Sequence, residues 1–139
     1  MIIYFFIQES FIKTIKGKVL NLCQGASGNN YFHFMFDIIP KIYLASSIIN
    51  IEEIDYFYVT DTSNWQIKIF KILGIDKKKL LSSKKNNHIF VDEIYTVDHP
   101  WYTKGYIHYE VSKIPKWIIF YHRKKFLKKL SKKGEKKIF

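Results

Sequence analysis

The chain has one cysteine, Cys23, among 139 residues, so no disulfide can form within it. This scarcity is typical of proteins in a reducing compartment. Long hydrophobic runs are also missing. The first residues, "MIIYFFIQES", are too short for a membrane span and carry no basic region, which argues against a signal peptide. These absences predict a soluble, cytoplasmic chain, free or peripheral at the inner face of the membrane.

Nucleotide-binding and metal-binding motifs are absent as well. No G-x-G-x-x-G follows a predicted strand, and "GASGNN" (25–30) has neither that spacing nor the lysine of a P-loop. His88, His99, His108 and His122 lie on four different segments without metal-ligand spacing. We therefore expect no metal site and no bound cofactor.

Positive charge is abundant but carried almost entirely by lysine. The net charge is +11, and Lys113–Phe139 accounts for ten lysines and one arginine against a single acid, Glu135. Three interpretations remain open for the segment Lys113–Lys137: solvated lysines, an anionic membrane surface, or nucleic acid. Nucleic acid is the least favoured, because Arg123 is the one arginine and no recognised binding motif accompanies the charge.

The hydrophobic content of 47% and aromatic content of 18% predict a folded core, and the length suits one domain over residues 1–139. Apolar runs predict strands at 1–7, 17–23, 54–60 and 88–97, with the start of one more at 136–139. Helical patterns cover 30–50, 62–74 and 116–130. Alternation of strands and helices predicts an α/β fold: a Rossmann-like, largely parallel sheet flanked by helices.

Two helices carry specific expectations. Ser63 or Asn64 caps the second helix, and Gly74 ends it. Pro115 opens the third helix, and its apolar periodicity predicts one shared face. That face comprises Ile119, Phe120, Arg123, Phe126, Leu127 and Leu130.

The first helix, "GNNYFHFMFDIIPKIYLASS" (28–47), contains the polar residues most suggestive of function. His33, Asp37 and Lys41 recur every four residues and form one line, extended backward toward Asn30. Pro40 should kink the helix and leave the carbonyl of Phe36 without its donor. A histidine one turn from a carboxylate can act as a general base. The alternative is a core histidine whose polar neighbours satisfy one another.

Residues of this helix resemble a family signature. Asn30, Tyr31, His33, Asp37 and Pro40 are similar to the Asn-Tyr-x-His-x-x-x-Asp/Glu-x-x-Pro-Arg pattern of glycosyltransferase family 61, with Lys41 in place of the arginine. The resemblance extends in order and spacing through "IDYFYVT", "FKILGI" and "VDEIYTV" to the helix around Pro115, covering about residues 17 to 139.

The resemblance implies the N-terminal lobe of a GT-B-type enzyme that transfers a sugar, with inversion, from a nucleotide-sugar to an acceptor hydroxyl. It implies no metal, and the chain has no Asp-x-Asp. The C-terminal donor-binding lobe is expected to be absent from this chain and to be a separate partner. Inverting transfer needs a base for the acceptor hydroxyl, so His33 is the expected catalytic base or hydroxyl binder and Asp37 its orienting residue. Asn30, Tyr31 and Lys41 would bind substrate, or Lys41 would instead neutralise Asp37 or the C-terminal end of the helix dipole.

Two further expectations concern substrates. Trp101, beside Pro100 and Tyr102, is a candidate sugar-stacking platform, although aromatic residues here can equally cover the edge of the core. The setting implied is polysaccharide biosynthesis with a glycan or lipid-linked acceptor. The alternatives are a non-catalytic carbohydrate- or partner-binding module and a basic nucleic-acid-associated protein.

Overall fold

A four-stranded, all-parallel sheet in the order β3-β2-β1-β4 organises the chain. The structure is a computed structural model and describes residues 12–102 and 113–127. The strands are β1 (Lys13–Asn21), β2 (Tyr56–Val59), β3 (Leu80–Ser82) and β4 (Ile89–Thr96). The helices are α1 (Tyr31–His33), a π-helical segment (Phe34–Ile38), α2 (Ile39–Ser46), α3 (Asn64–Ile72) and α4 (Lys116–Phe126), with 3-10 turns at Ile51–Glu53 and Lys77–Lys79.

The strand order confirms the predicted Rossmann-like arrangement. The chain moves outward from β1 to β2 and β3, then returns to place β4 on the opposite side of β1. Ligands of open α/β sheets bind beyond the carboxyl ends of the strands where the direction of winding reverses. In this sheet the reversal lies between β1 and β4, so the loops that follow these two strands are the expected position of a site.

The main core lies between one face of the sheet and the helices. Its buried members come from β1, β2 and the helical segments after them, and include Leu20, Leu22, Phe34, Ile38, Ile39, Phe57 and Phe70. A smaller cluster of Ile15, Val19 and Leu81 occupies the other face. The short strand β3 was not predicted, because three residues are too few to establish a period of two.

The predicted first helix, 30–50, is shorter and not uniformly α-helical. Asn30 caps it, as expected from the asparagines before it, and its side chain accepts a hydrogen bond from the His33 N–H. The backbone then widens into the π segment, where the Ile39 N–H reaches the carbonyl of Phe34, five residues back. The helix ends at Ser46.

The π segment explains how Pro40 is accommodated. In a helix with four-residue spacing Pro40 would leave the Phe36 carbonyl without its donor. Here Pro40 is in the first turn of α2, directly after the π segment, where the spacing of the backbone hydrogen bonds already changes. His122 of α4 lies against this region, with its ring beside Phe36. Burial lowers the pKa of His122, and the Met35 carbonyl acts in the opposite direction. Neither ring nitrogen makes a well-formed hydrogen bond within the described residues.

The second and third predicted helices are present in the structure as α3 and α4. Ser63 caps α3 as predicted, and Gly74 follows its end with a φ of +86°. Pro115 precedes α4 as predicted. The residues predicted to share one face of α4 do not form its buried side. Ile118 and Tyr121 are the buried residues of α4, whereas Ile119, Phe120, Arg123 and Leu127 are exposed.

Several expectations lie outside the described residues: the strands at 1–7 and 136–139, the helical positions 128–130 with Leu130, and His108. Within the two described ranges, no helix has both the length and the apolar character needed to cross a bilayer.

A bulge in β1 places two acidic residues beside the backbone of the strand. Pairing with β4 shifts register between Ile15 and Lys18, where Gly17 takes a φ of +110°. The Gly17 N–H donates to the Asp92 carboxylate at 2.9 Å, and the Lys18 N–H donates to the Asp55 carboxylate at 2.8 Å. A Cβ on Gly17 would collide with the Asp55 carboxylate, so this position requires glycine for both its backbone angle and its space.

We expect Gly17→Ala to lower the free energy of unfolding by about 3 kcal/mol, because it combines backbone strain with this collision. Gly74→Ala should cost about 1 kcal/mol, since its φ is positive but the space around it is open. Gly25→Ala is the matched control and should change stability by less than about 0.5 kcal/mol. Urea unfolding of the three variants measures how much each substitution lowers the free energy of unfolding. Equal losses for Gly17→Ala and Gly25→Ala would contradict the predicted collision.

Candidate active site

A buried carboxylate, Asp37, is the centre of the polar site. Its side chain is 2% exposed and lies in the π segment, on the helical region that follows β1. Oδ2 lies 2.7 Å from Nδ1 of His33. Oδ1 accepts a hydrogen bond of 2.9 Å from the indole N–H of Trp101 and lies 3.4 Å from Nε2 of His99. Three donor groups therefore compensate the loss of water around this carboxylate.

His99 belongs to the loop that follows β4, and its hydrogen bonds indicate its tautomer. Its Nδ1 accepts the backbone N–H of Tyr102 at 2.9 Å and that of Trp101 at 3.4 Å. Nδ1 therefore carries the lone pair, and the proton is on Nε2, which faces Asp37. Burial lowers the pKa of His99, while the charge of Asp37 and a hydrogen bond to it act in the opposite direction. His99 thus serves as a neutral donor that holds the carboxylate.

Whereas His99 contacts Asp37 through Nε2, His33 does so through the other ring nitrogen, Nδ1. Its Nδ1 faces the Asp37 carboxylate, so in the neutral ring Nδ1 carries the proton and Nε2 the lone pair. The side chain is 25% exposed, and none of the hydrogen bonds among the described residues involves Nε2. A histidine oriented by a buried carboxylate, with its second nitrogen unoccupied, is suited to accept a proton from a bound hydroxyl.

Lys41 lies one turn beyond Asp37 but hydrogen-bonds a residue of the loop after β1. Its ammonium group is buried and donates to Oε1 of Gln24, in the loop after β1, at 3.1 Å. Burial lowers the pKa of Lys41, and the nearby carboxylates of Asp37 and Asp98 act in the opposite direction. Lys41 therefore joins the helix to the β1 loop and adds positive charge beside the site.

Asn30 and Tyr31 begin the helix and have distinct surroundings. The side chain of Asn30 is used in capping, so its Oδ1 fixes the backbone at His33. Tyr31 is 63% exposed, and its ring lies 5.5 Å from that of Trp65 on α3. Tyr31 is therefore the residue of this pair that can contact a ligand directly.

Trp101 is close to the site but is only 7% exposed. Its indole N–H is bonded to Asp37, and its ring packs edge-on to those of His99 and Phe32. The ring has little surface to offer a sugar, so the observed contacts make Trp101 a residue that positions Asp37.

A network of hydrogen bonds holds the loop after β1. Gln66 of α3 is fully buried, and its amide donates to the carbonyls of Ser27 and Gly28 at 3.1 and 2.9 Å. Its Oε1 accepts the N–H of Ser63 at 2.8 Å, which caps α3. Thr60, after β2, donates to the carbonyl of Gln24 at 3.0 Å. These bonds connect the loops after β1 and β2 and support the start of the site helix.

Gln24, Gln66 and His99 were not singled out from the sequence as site residues. The sole usable signal for His99 was its position two residues after a predicted strand, in a loop rich in aromatic residues. Cys23 lies beside this network, and burial raises the pKa of its thiol, which keeps it protonated at neutral pH and unsuited to act as a nucleophile.

The histidines and Asp37 do not form a metal-binding group. Metal ligands need lone pairs that converge on one point, whereas His33 and His99 both direct a ring N–H at Asp37, and Nδ1 of His99 faces backbone N–H groups. Across the described residues, no cluster of three or more histidine, cysteine or acidic side chains is arranged to hold a metal ion.

We expect Trp101→Phe to lower the free energy of unfolding by about 2 kcal/mol, because it keeps a large ring but removes a donor from a buried carboxylate. Trp117→Phe is the matched control: this half-buried tryptophan stacks on Tyr43, and its replacement should cost less than about 1 kcal/mol. Urea unfolding measures both variants. Equal costs would show that the Trp101 hydrogen bond contributes little.

Stability should fall as the pH decreases from 7 to 5. The pKa values of His99 and His122 are lowered in the folded state, so the unfolded chain takes up protons first, below about pH 6.5. The stabilisation from the neutral histidines is complete above that pH. It is lost as the pH falls toward their lowered folded-state pKa values, and the free energy of unfolding then decreases by no more than about 1.4 kcal/mol per pH unit for each proton.

Replacing His122 with phenylalanine tests this dependence, because His122 lies among aromatic rings. We expect His122→Phe to make the pH profile of urea unfolding shallower between pH 7 and 5. His88→Gln, at an exposed position, should leave the profile unchanged. An unchanged slope in His122→Phe would contradict the assignment.

Comparison of the chain with family models, curated proteins and solved structures gives no match. The fold and the geometry around Asp37 are therefore the observations from which a function can be argued.

Proposed function

We propose that this chain is the acceptor-side lobe of an inverting glycosyltransferase of the family 61 type, with His33 as its general base. The observation that carries the proposal is the 2.7 Å contact between His33 Nδ1 and the buried carboxylate of Asp37. It leaves Nε2 of this partly exposed ring without a hydrogen bond to the described residues. The pair lies beyond the carboxyl end of β1, next to the loop after β4, where this class of sheet binds ligands.

The proposed step is a direct displacement. The acceptor hydroxyl gives its proton to His33 Nε2 while its oxygen forms a bond to the anomeric carbon of the donor sugar. The bond from that carbon to the diphosphate breaks at the same time, and the configuration is inverted. Asp37 stabilises the imidazolium that forms and holds the ring in the tautomer that can accept the proton.

Residues around the dyad fit supporting roles. Asn30 fixes the backbone at His33, and the exposed ring of Tyr31 provides a surface for an acceptor sugar. Lys41 supplies a positive charge near the reacting groups, although its bond to Gln24 makes a positioning role equally compatible with its surroundings. His99 and Trp101 hold Asp37 rather than contact substrate.

The donor side of the reaction needs groups that stabilise the leaving diphosphate. We propose that a separate C-terminal lobe binds the nucleotide-sugar and that the acceptor is a glycan or a lipid-linked glycan. The reaction would take place in the cytoplasm or at the inner face of the membrane, in polysaccharide biosynthesis. The single, protonated cysteine is compatible with that compartment.

The first test is acceptor binding to the chain itself. We expect a panel of mono- and oligosaccharides to shift the ring resonances of His33 and Tyr31 in NMR titrations. His33→Ala should weaken binding about 5- to 10-fold, because one hydrogen bond to a hydroxyl is lost. The control is His88→Ala, which replaces an exposed histidine directly before β4. The proposal fails if no carbohydrate in the panel shifts the site.

The second test is transfer of labelled sugar from a nucleotide-sugar panel to membranes, with extract of the source cells supplying the partner lobe. Transfer should depend on added chain and fall at least about 100-fold in His33→Ala, the usual contribution of a general base. Near-wild-type transfer by that variant would refute the base assignment. Carbohydrate binding without any transfer would favour the non-catalytic binding module instead.

A further inference from the structure

Helix α4 exposes apolar and basic side chains together. Phe120 is 63% exposed, Leu127 50% and Ile119 40%. Lys116, Arg123 and Lys124 are exposed beside them, and no acidic residue occurs between Lys113 and Leu127. These six residues (116, 119, 120, 123, 124 and 127) are called the outward face of α4.

The outward face is a continuous surface. At 3.6 residues per turn, the four positions 116, 120, 123 and 127 lie within about 60° of one another around the helix axis, and 119 and 124 flank them. The opposite side of α4 packs into the molecule: Ile118 and Tyr121 are buried, and Trp117 stacks on Tyr43 of α2. The helix is thus apolar on two sides, of which its own fold covers one.

Such a face is unusual for a helix whose outer side meets only water. A solvated helix face carries charged and polar residues, and exposed aromatic and aliphatic residues that cluster indicate a binding surface. The pairing of Phe120 and Leu127 with three cations, and with no anion between them, indicates a partner that is both apolar and negatively charged.

The charge of the chain distinguishes three possible partners of this face: a second copy of the chain, nucleic acid and an anionic membrane. A second copy would bring together two faces from segments that each carry a net charge of +10 over residues 113–139, which opposes self-association. Nucleic acid offers negative charge but no apolar surface for Ile119 or Leu127, and arginine, which suits phosphate and base recognition, occurs once. A bilayer that contains anionic lipid offers negative charge in its headgroup layer and apolar surface in the acyl layer directly below.

We propose that the outward face of α4 binds the surface of an anionic membrane. Phe120, Leu127 and Ile119 enter the boundary between headgroups and acyl chains, and Lys116, Arg123 and Lys124 remain at the level of the lipid phosphates. Each basic residue near such a surface contributes about 5-fold to the partition coefficient. This proposal depends on α4 alone and stands independently of the sugar-transfer reaction.

The experiment is sedimentation of the full chain with lipid vesicles. We expect binding to phosphatidylcholine vesicles that contain phosphatidylglycerol and little binding to phosphatidylcholine alone. Binding should weaken when the salt concentration is raised from about 0.1 M to about 1 M, which shortens the screening length from roughly 10 Å to 3 Å. Arg123→Gln/Lys124→Gln should reduce binding about 25-fold, and Phe120→Ser/Leu127→Ser at least about 10-fold.

Two control variants test whether vesicle binding depends on the outward face of α4 or on any exposed aromatic or basic residue. Phe90→Ser removes a phenylalanine that is equally exposed, at 64%, but lies on β4. Lys77→Gln/Lys78→Gln removes two exposed lysines from the 3-10 turn before β3. Phe90→Ser should change binding by less than about 2-fold, and the lysine pair should lower it less than Arg123→Gln/Lys124→Gln does.

Four results would overturn the proposal: no binding to anionic vesicles, equal binding to neutral vesicles, unchanged binding by Phe120→Ser/Leu127→Ser, or an equal loss in Phe90→Ser. A concentration-dependent dimer that Phe120→Ser/Leu127→Ser abolishes, without vesicle binding, would assign the face to a second copy instead. Loss of vesicle binding with carbohydrate binding intact would leave the sugar-transfer proposal unaffected.

Discussion

The buried carboxylate of Asp37 is the constraint on which the site depends. Removing a carboxylate from water is costly unless donors replace the water molecules, and Asp37 has three such donors. One comes from its own helical segment, and two come from the loop after β4, more than 60 residues later in the chain. The satisfied carboxylate therefore joins the helical segment after β1 to the loop after β4, and the cost of leaving it unpaired favours this arrangement.

Pro40 determines how the polar side chains are distributed along the same segment. Because proline has no N–H, a regular α-helix would lose a bond at this position, and the π segment absorbs the irregularity by widening the turn before it. Within the wider turn His33 and Asp37 still meet at a spacing of four. Lys41, on the far side of the proline, instead reaches Gln24, so the polar line expected from a regular helix is divided into a dyad and a separate link to the β1 loop.

The extent to which the sequence predicts this structure follows from the range of each interaction. The capping by Asn30 and the His33–Asp37 contact join residues within a few positions of one another, so spacing predicts them. The fold class follows from the order of strands and helices, each of which has a local pattern. The contacts of His99 and Trp101 with Asp37 depend on the strand order, which local patterns do not contain. Periodicity groups Ile119, Phe120 and Leu127 on one face of α4. It cannot tell whether that side or the side of Ile118 meets the core, because the helix has apolar residues on both.

The packing of α4 connects its exposed face to the site. Its inner side lies against the site helix, with His122 beside Phe36 of the π segment and Trp117 beside Tyr43 of α2. Packed helices lie about 8 to 10 Å apart, so a surface bound to the outer face of α4 would be one helix layer away from the segment that carries His33 and Asp37. An acceptor anchored in that surface would reach the dyad by extending past the edge of α4. In the proposed reaction, a lipid-linked acceptor would satisfy this geometry because its sugar projects beyond the headgroup layer while its chain stays in the bilayer.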